Sequence, residues 1–199
     1  MPGPEGEEGS DEAIRAFIAI ELSDGVRAAV AGVIGALMRS GDGGAVRWSR
    51  PENLHVTLRF LGDVPRRRVP EIARSVGLAT AVLPPFRMRL GRVGAFPNRR
   101  RPRVVALEVG PQEPLAGLAR AVDAAVASVG LASDRFHFHP HLTLGRVRGR
   151  GLPPVTASVT ALGESLVVEE IVLFRSELTN RGARYTPLER IALGGSDHP

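Results

Sequence analysis

The chain has 199 residues, 43% of them hydrophobic and 24% charged, with a net charge of +5 and no cysteine. It is long enough to bury a core as one large domain or two small lobes. Disulfides, thiolate metal sites and cysteine nucleophiles are excluded, no apolar run approaches the ~20 residues of a membrane helix, and no charged-then-apolar leader opens the sequence, so a cytoplasmic location is expected. All 26 basic residues are arginine. That fits either a composition biased toward Arg, Ala and Gly or an affinity for polyanions such as RNA.

Taken in order, residues 1–12 are Gly, Pro, Glu and Asp with almost nothing apolar, which predicts a disordered tail. Ile14 to Leu22 follows as a strand buried on both faces or nearly so. Ser23-Asp24 is a helix N-cap signal, after which Val26, Val30, Val33, Ile34, Leu37 and Met38 recur at helical spacing until Gly41. Val46-Arg47-Trp48 is a short strand, Pro51-Glu52-Asn53 a turn, and His55 to Leu61 a strand closed by Gly62-Asp63. A second helix runs from about Pro70 to Val82 and is stopped by Pro84-Pro85. Phe86 to Leu90 alternates as a strand with one wet face and continues toward Phe96, to pair with Val104 to Val109 as a hairpin whose tip, Arg99-Arg103, is strongly basic. Leu115 to Val129 is a third amphipathic helix with Gly130 beyond its end. A motif-bearing strand then reaches Val147. Val155 to Leu162 is ambiguous, Leu166 to Leu178 and Tyr185 to Leu193 are two strands joined through Asn180-Arg181-Gly182, and residues 194–199 fray. The expected fold class is α+β: one bilobal domain over residues 13–193, with two antiparallel-rich sheets, pseudo-twofold symmetry around a central cleft and helices outside.

The chemistry concentrates in a repeated tetrapeptide. His55-Val56-Thr57-Leu58 and His141-Leu142-Thr143-Leu144 each read His-x-Thr-Leu. In a strand, residues two apart share a face, so each copy sets an imidazole beside a hydroxyl with aliphatic anchors behind. Two such strands facing one another would make a cleft with a matched acid and base near neutral pH. That suits the opening of a phosphate ester, with the hydroxyls and an arginine stabilising the non-bridging oxygens. Strict alternation sends Arg146 to the core side with Leu142 and Leu144; it reaches the cleft only if the strand ends or bulges at Gly145. The same rule puts Arg59 on the His55 face, as a reserve phosphate contact. His137, His139 and His141 alternate, but Pro140 disturbs the ladder and no second ligand cluster accompanies them, so no metal is expected. Phe17 and Phe138 are candidate base-stacking residues, with core packing the plainer reading for Phe17.

The paired motifs, with Arg15-Ala16-Phe17-Ile18-Ala19-Ile20, Arg47-Trp48, Pro51-Glu52-Asn53-Leu54-His55, Arg59-Phe60-Leu61-Gly62-Asp63-Val64, Phe96-Pro97-Asn98 and Pro140-His141-Leu142-Thr143-Leu144-Gly145-Arg146, resemble the two-histidine (2H) phosphoesterase superfamily, in its RNA 2′,3′-cyclic phosphodiesterase (2′-5′ RNA ligase-like) branch. The resemblance covers about residues 14–193. It implies hydrolysis of RNA 2′,3′-cyclic phosphate ends to 2′-phosphate without a metal or other cofactor, and reversible 2′-5′ ligation in some members. It implies His55 as proton donor, His141 as proton acceptor, and Thr57, Thr143 and Arg146 as phosphate and substrate contacts. The expected partner is RNA with a cyclic phosphate terminus, tRNA-like fragments included, and a monomer with no membrane association is expected. Two alternatives stand beside it: a non-catalytic RNA-binding protein on the same scaffold, and a phosphodiesterase of a small cyclic nucleotide.

Overall fold

The structure is a computed structural model that describes residues 11–39, 45–96, 102–133, 138–148, 162–180 and 182–194. Of the expected tails, residues 1–10 and 195–199 lie outside the described residues, as do residues 155–161 of the ambiguous stretch, His137 and the hairpin-tip residues 99–101. The elements are β1 (Ala13–Glu21), α1 (Asp24–Leu37), β2 (Val46–Trp48), β3 (His55–Pro65), α2 (Val69–Thr80), β4 (Phe86–Phe96), β5 (Val104–Gly110), α3 (Gln112–Ser128), β6 (His141–Val147), β7 (Ser165–Val168), β8 (Glu170–Thr179) and β9 (Gly182–Ala192), with short 3-10 turns at Pro51–Asn53 and Arg66–Arg68.

The strands form two antiparallel sheets, ordered β3-β1-β8-β9 and β2-β6-β5-β4-β7. One continuous core joins them. It takes Ile14, Ala16, Ile18 and Ile20 from β1, Leu107 and Val109 from β5, Leu142 and Leu144 from β6, and Ile72, Leu118 and Val122 from the helices. Helices α2 and α3 pack on each other and are pinned where Ser75 Oγ donates to the Ala125 carbonyl at 3.0 Å. The expectation that β1 is buried on both sides is met. Phe17 and Ala19 face away from the main core into a second cluster with Val172 and Phe174, against which Tyr185 packs.

Two predicted elements differ. Gly62-Asp63 does not end β3. Gly62 adopts φ +72°, a left-handed conformation suited to glycine, and the ladder with β1 shifts there before continuing to Pro65. The single strand expected over Leu166–Leu178 is two. The chain leaves the ladder at Glu169; β7 pairs with β4, whereas β8 pairs with β1, so an unbroken apolar run crosses from one sheet to the other.

Candidate active site

Strands β3 and β6, one from each sheet, pack against each other, and each carries a copy of the motif. Their local structures are nearly superimposable in kind. Along β1–β3, Glu21 stands opposite His55, Ala19 opposite Thr57 and Ile18 opposite Arg59. Along β5–β6, Glu108 stands opposite His141, Ala106 opposite Thr143 and Val105 opposite Gly145. In both ladders one residue, Leu58 or Leu144, has no opposite number, which is a β-bulge. Burial follows suit: His half-buried, Val56 or Leu142 buried, Thr half-buried, then two buried residues and one exposed.

The bulge decides which residues face the cleft. It reverses the alternation after the threonine, so Phe60 and Arg146 return to the histidine face while Arg59 and Gly145 turn to the core. Arg146 is thereby brought to the motif by the route strict alternation denies it. Arg59 goes the other way. It is 8% exposed, its Nε lies 2.7 Å from Asp123 Oδ1, and its guanidinium donates to the carbonyls of Phe60 and Ala132. It is a structural cation tying β3 to the end of α3, not a cleft residue. Gly145 is required by close approach: a Cβ there would sit 2.6 Å from Val46 Cγ1 and 3.1 Å from the Arg47 carbonyl.

Both imidazoles are oriented by the backbone two residues upstream. His55 Nδ1 lies 2.8 Å from the Asn53 carbonyl, and His141 Nδ1 lies 2.7 Å from the His139 carbonyl. A carbonyl only accepts, so each Nδ1 carries a proton and each neutral ring presents Nε2 as a base. Asn53 is itself fixed, its Nδ2 donating to the Ala183 carbonyl at 2.8 Å. This orienting role of residues 53 and 139 is played by main-chain atoms, to which sequence identity gives no clue. His139 thus serves through its carbonyl rather than as part of a histidine ladder.

The surroundings of the two rings differ. His55 sits against Phe17 (ring centroids 4.9 Å apart), edge-on to Tyr185 (5.2 Å), with Phe174 at 6.5 Å. Its Nε2 accepts from the Thr57 hydroxyl at 3.0 Å. Burial among these groups pushes its pKa from 6.5 down to about 4; the Asn53 hydrogen bond opposes this, and the nearby charges of His141 and Arg146 add to it. His141 instead stacks on Phe96 at 4.6 Å with 13° between planes, and among the described residues its Nε2 makes no bond to Thr143. Phe17 is therefore both core residue and ring neighbour, and Phe138 packs at the edge of the main core. Tyr185 and Phe96 are site residues that the tetrapeptides do not announce. No group of three or more His, Asp or Glu side chains disposed to hold a metal occurs among the described residues.

Known proteins are similar to this chain in sequence and fold. The family described as LigT like Phosphoesterase matches residues 20–106 and 107–185, close to the two halves defined by the repeated ladders. A protein of Methanothermobacter thermautotrophicus named RNA 2′,3′-cyclic phosphodiesterase is 36% identical over 88% of this chain and 97% of its own. One of that name from Archaeoglobus fulgidus is 34% identical over 88% and 98%. Among solved structures, TT0787 of Thermus thermophilus superposes with a TM-score of 0.78 at 31% identity, covering 92% of this chain and 100% of that one. E. coli LigT complexed with 3′-AMP gives 0.73 at 30%, covering 92% and 99%. With matched halves, matched bulges and this coverage, the chain belongs to the LigT-like family of two-histidine phosphoesterases.

Proposed function

We propose that the protein hydrolyses the 2′,3′-cyclic phosphate at the end of an RNA to a 2′-phosphate, without a metal ion. The observation that carries the reading is the pair of imidazoles, each with Nδ1 on a carbonyl and Nε2 toward the cleft, set on equivalent bulged strands. The names of the relatives point to the same chemistry. In the proposed reaction His141 Nε2 takes a proton from water as its oxygen attacks phosphorus. The bond from phosphorus to the ribose 3′-oxygen breaks, and His55 Nε2 delivers a proton to that oxygen. Thr57 and Thr143 donate to the non-bridging oxygens and Arg146 neutralises their charge.

His55 is neutral in the free protein at pH 7, because its pKa lies at about 4. To act as an acid it must gain a proton when substrate binds. A phosphate anion in the cleft opposes one cause of the depression, the Arg146 charge, and so favours the protonated ring. Proton donation by His55 is in this way conditional on an anion being present. The cleft draws both histidines from one chain, which supports a functional monomer, and among the described residues no helix is long and apolar enough to cross a membrane. Action on cytoplasmic RNA is part of the proposal.

The test is hydrolysis of a short RNA ending in a 2′,3′-cyclic phosphate, in EDTA, with product identity read alongside His55→Ala and His141→Ala. Turnover to the 2′-phosphate, lost in both variants, is expected. Tight RNA binding without turnover overturns the hydrolytic reading and leaves a binding protein.

A further inference from the structure

The equivalent positions Glu21 and Glu108 behave differently. Each faces a catalytic histidine across its ladder. Glu21 is neutralised, its carboxylate 2.7 Å from Arg190 and 3.6 Å from Arg27. Glu108 is exposed and has no ion-pair partner among the described residues. Beyond it the sheet face continues with arginine. Arg89 stands opposite Gly110 in the β4–β5 ladder, and Gly110 shares a face with Glu108, two residues away. Arg87 shares that face in turn. Met88 and Leu90, which alternate with them, are 0% and 2% exposed in the core.

Arg87 and Arg89 find no carboxylate among the described residues; Arg87 only donates to Ser165 Oγ at 3.2 Å. The two arginines, Glu108, Gly91 and Gln112 line an open groove of about 570 Å³, within the size range of ligand sites. Gly91 keeps its floor clear, since a Cβ there would meet Glu108 Cβ at 3.2 Å. Counting two strand spacings across the sheet and two residues along it puts the Arg89 backbone about 12 Å from that of His141. At about 3.4 Å per stacked nucleotide, and more when extended, that is roughly two to four nucleotides of RNA.

We propose that this groove is a subsite for the RNA upstream of the reacting end, with Arg89 and Arg87 holding backbone phosphates and the exposed Glu108 accepting a ribose 2′-hydroxyl between them and His141. The inference rests on the cyclic phosphodiesterase reading and deepens it by giving the upstream RNA strand a defined track on the protein. The carboxylate is what separates this track from a plain basic patch. It repels a phosphate but receives a hydroxyl, so it discriminates ribose from deoxyribose along the strand.

The experiment compares kcat/KM for an RNA hexamer ending in a 2′,3′-cyclic phosphate with that for adenosine 2′,3′-cyclic phosphate. Wild type is expected to favour the hexamer by about a hundredfold, roughly tenfold for each arginine contact, and Arg87→Ala/Arg89→Ala to remove most of that preference. The double variant also flattens the log–log salt dependence of hexamer binding by about 1.4, from ~0.7 for each lost phosphate contact. Replacing the upstream riboses by deoxyriboses costs wild type several-fold and Glu108→Ala nothing. Gly91→Leu, which fills the groove without changing charge, is expected to lower the hexamer preference as the arginine variant does. Equal efficiency on both substrates, or equal loss on both in the double variant, overturns the groove. If wild type hydrolyses neither substrate, the phosphodiesterase reading falls and the groove with it.

Discussion

The two motif strands carry the same four-residue pattern, the same bulge and the same carbonyl anchor, yet they hold their histidines in opposite settings. His55 lies among Phe17, Phe174 and Tyr185, and its Nε2 is engaged by Thr57. His141 lies flat on one ring, Phe96. Backbone geometry makes the two groups equivalent, and the side chains around them make them different. A duplicated fold can therefore supply two identical functional groups and give each a different setting through the side chains around it.

The largest effect expected from breaking this pair is loss of either imidazole. His55→Ala and His141→Ala should each lower kcat by about 10²–10⁴-fold, with the double variant little worse than the poorer single one, because the two act as a unit. The comparison sharpens at the position after the bulge, where one strand has Arg146 and the other Phe60. Arg146→Ala is expected to cost about 10²-fold in kcat/KM. Phe60→Ala, at the equivalent place with no charge to lose, should cost less than about tenfold; steady-state kinetics on one RNA substrate decides both.

The residues before them differ as well. Arg59→Ala removes the cation from beside the partly buried Asp123 and frees the Phe60 and Ala132 carbonyls, so it should lower unfolding free energy by about 2–4 kcal/mol in urea titration. Arg59→Lys should recover little, since one ammonium cannot serve three acceptors held by a planar fork. Gly145→Ala meets the β2 backbone instead, and overpacking there is expected to cost about 1–3 kcal/mol.

A further effect, absent at neutral pH, appears on acidification. Unfolded, His55 takes up a proton near 6.5; folded, it resists until about 4. Acidification through that window therefore favours the unfolded state, and the stability owed to a neutral His55 is complete above 6.5 and lost as the pH falls toward 4. Wild type should show a steeper fall in stability over this range than His55→Gln. A ring titration followed by NMR should place His55 well below 6.5, and Tyr185→Ser, by admitting water, should move it back up.

Much of this was legible in the sequence because the signals were local. Period-two alternation placed β4 and both motif strands, helical spacing placed α1 to α3, and the repeated tetrapeptide singled out His55 and His141. The bulges were not legible. An extra residue at Leu58 or Leu144 leaves the hydrophobic pattern looking like continued alternation, so Arg59 was expected on the wrong face and Arg146 needed a condition at Gly145. The crossing at Glu169 was hidden for a related reason: both sheets bury aliphatic side chains, and an apolar run does not say which partner it will find. Tyr185 and Phe96 reach the histidines only through pairings distant in sequence, and the Asn53 and His139 carbonyls belong to the backbone.

The crossing has a consequence for biosynthesis. One sheet is assembled from both ends of the chain: β8 and β9 complete the sheet begun by β1 and β3, while β2 and β4 to β7, from the middle of the chain, make the other. The first of these sheets cannot close until the last strands leave the ribosome, and pairings this remote in sequence form late. Tyr185 and the Ala183 carbonyl that anchors Asn53 both lie on the last strand, so the pocket around His55 is assembled only when synthesis is nearly over. A truncated translation product would hold both motifs and lack the enclosure that sets their difference.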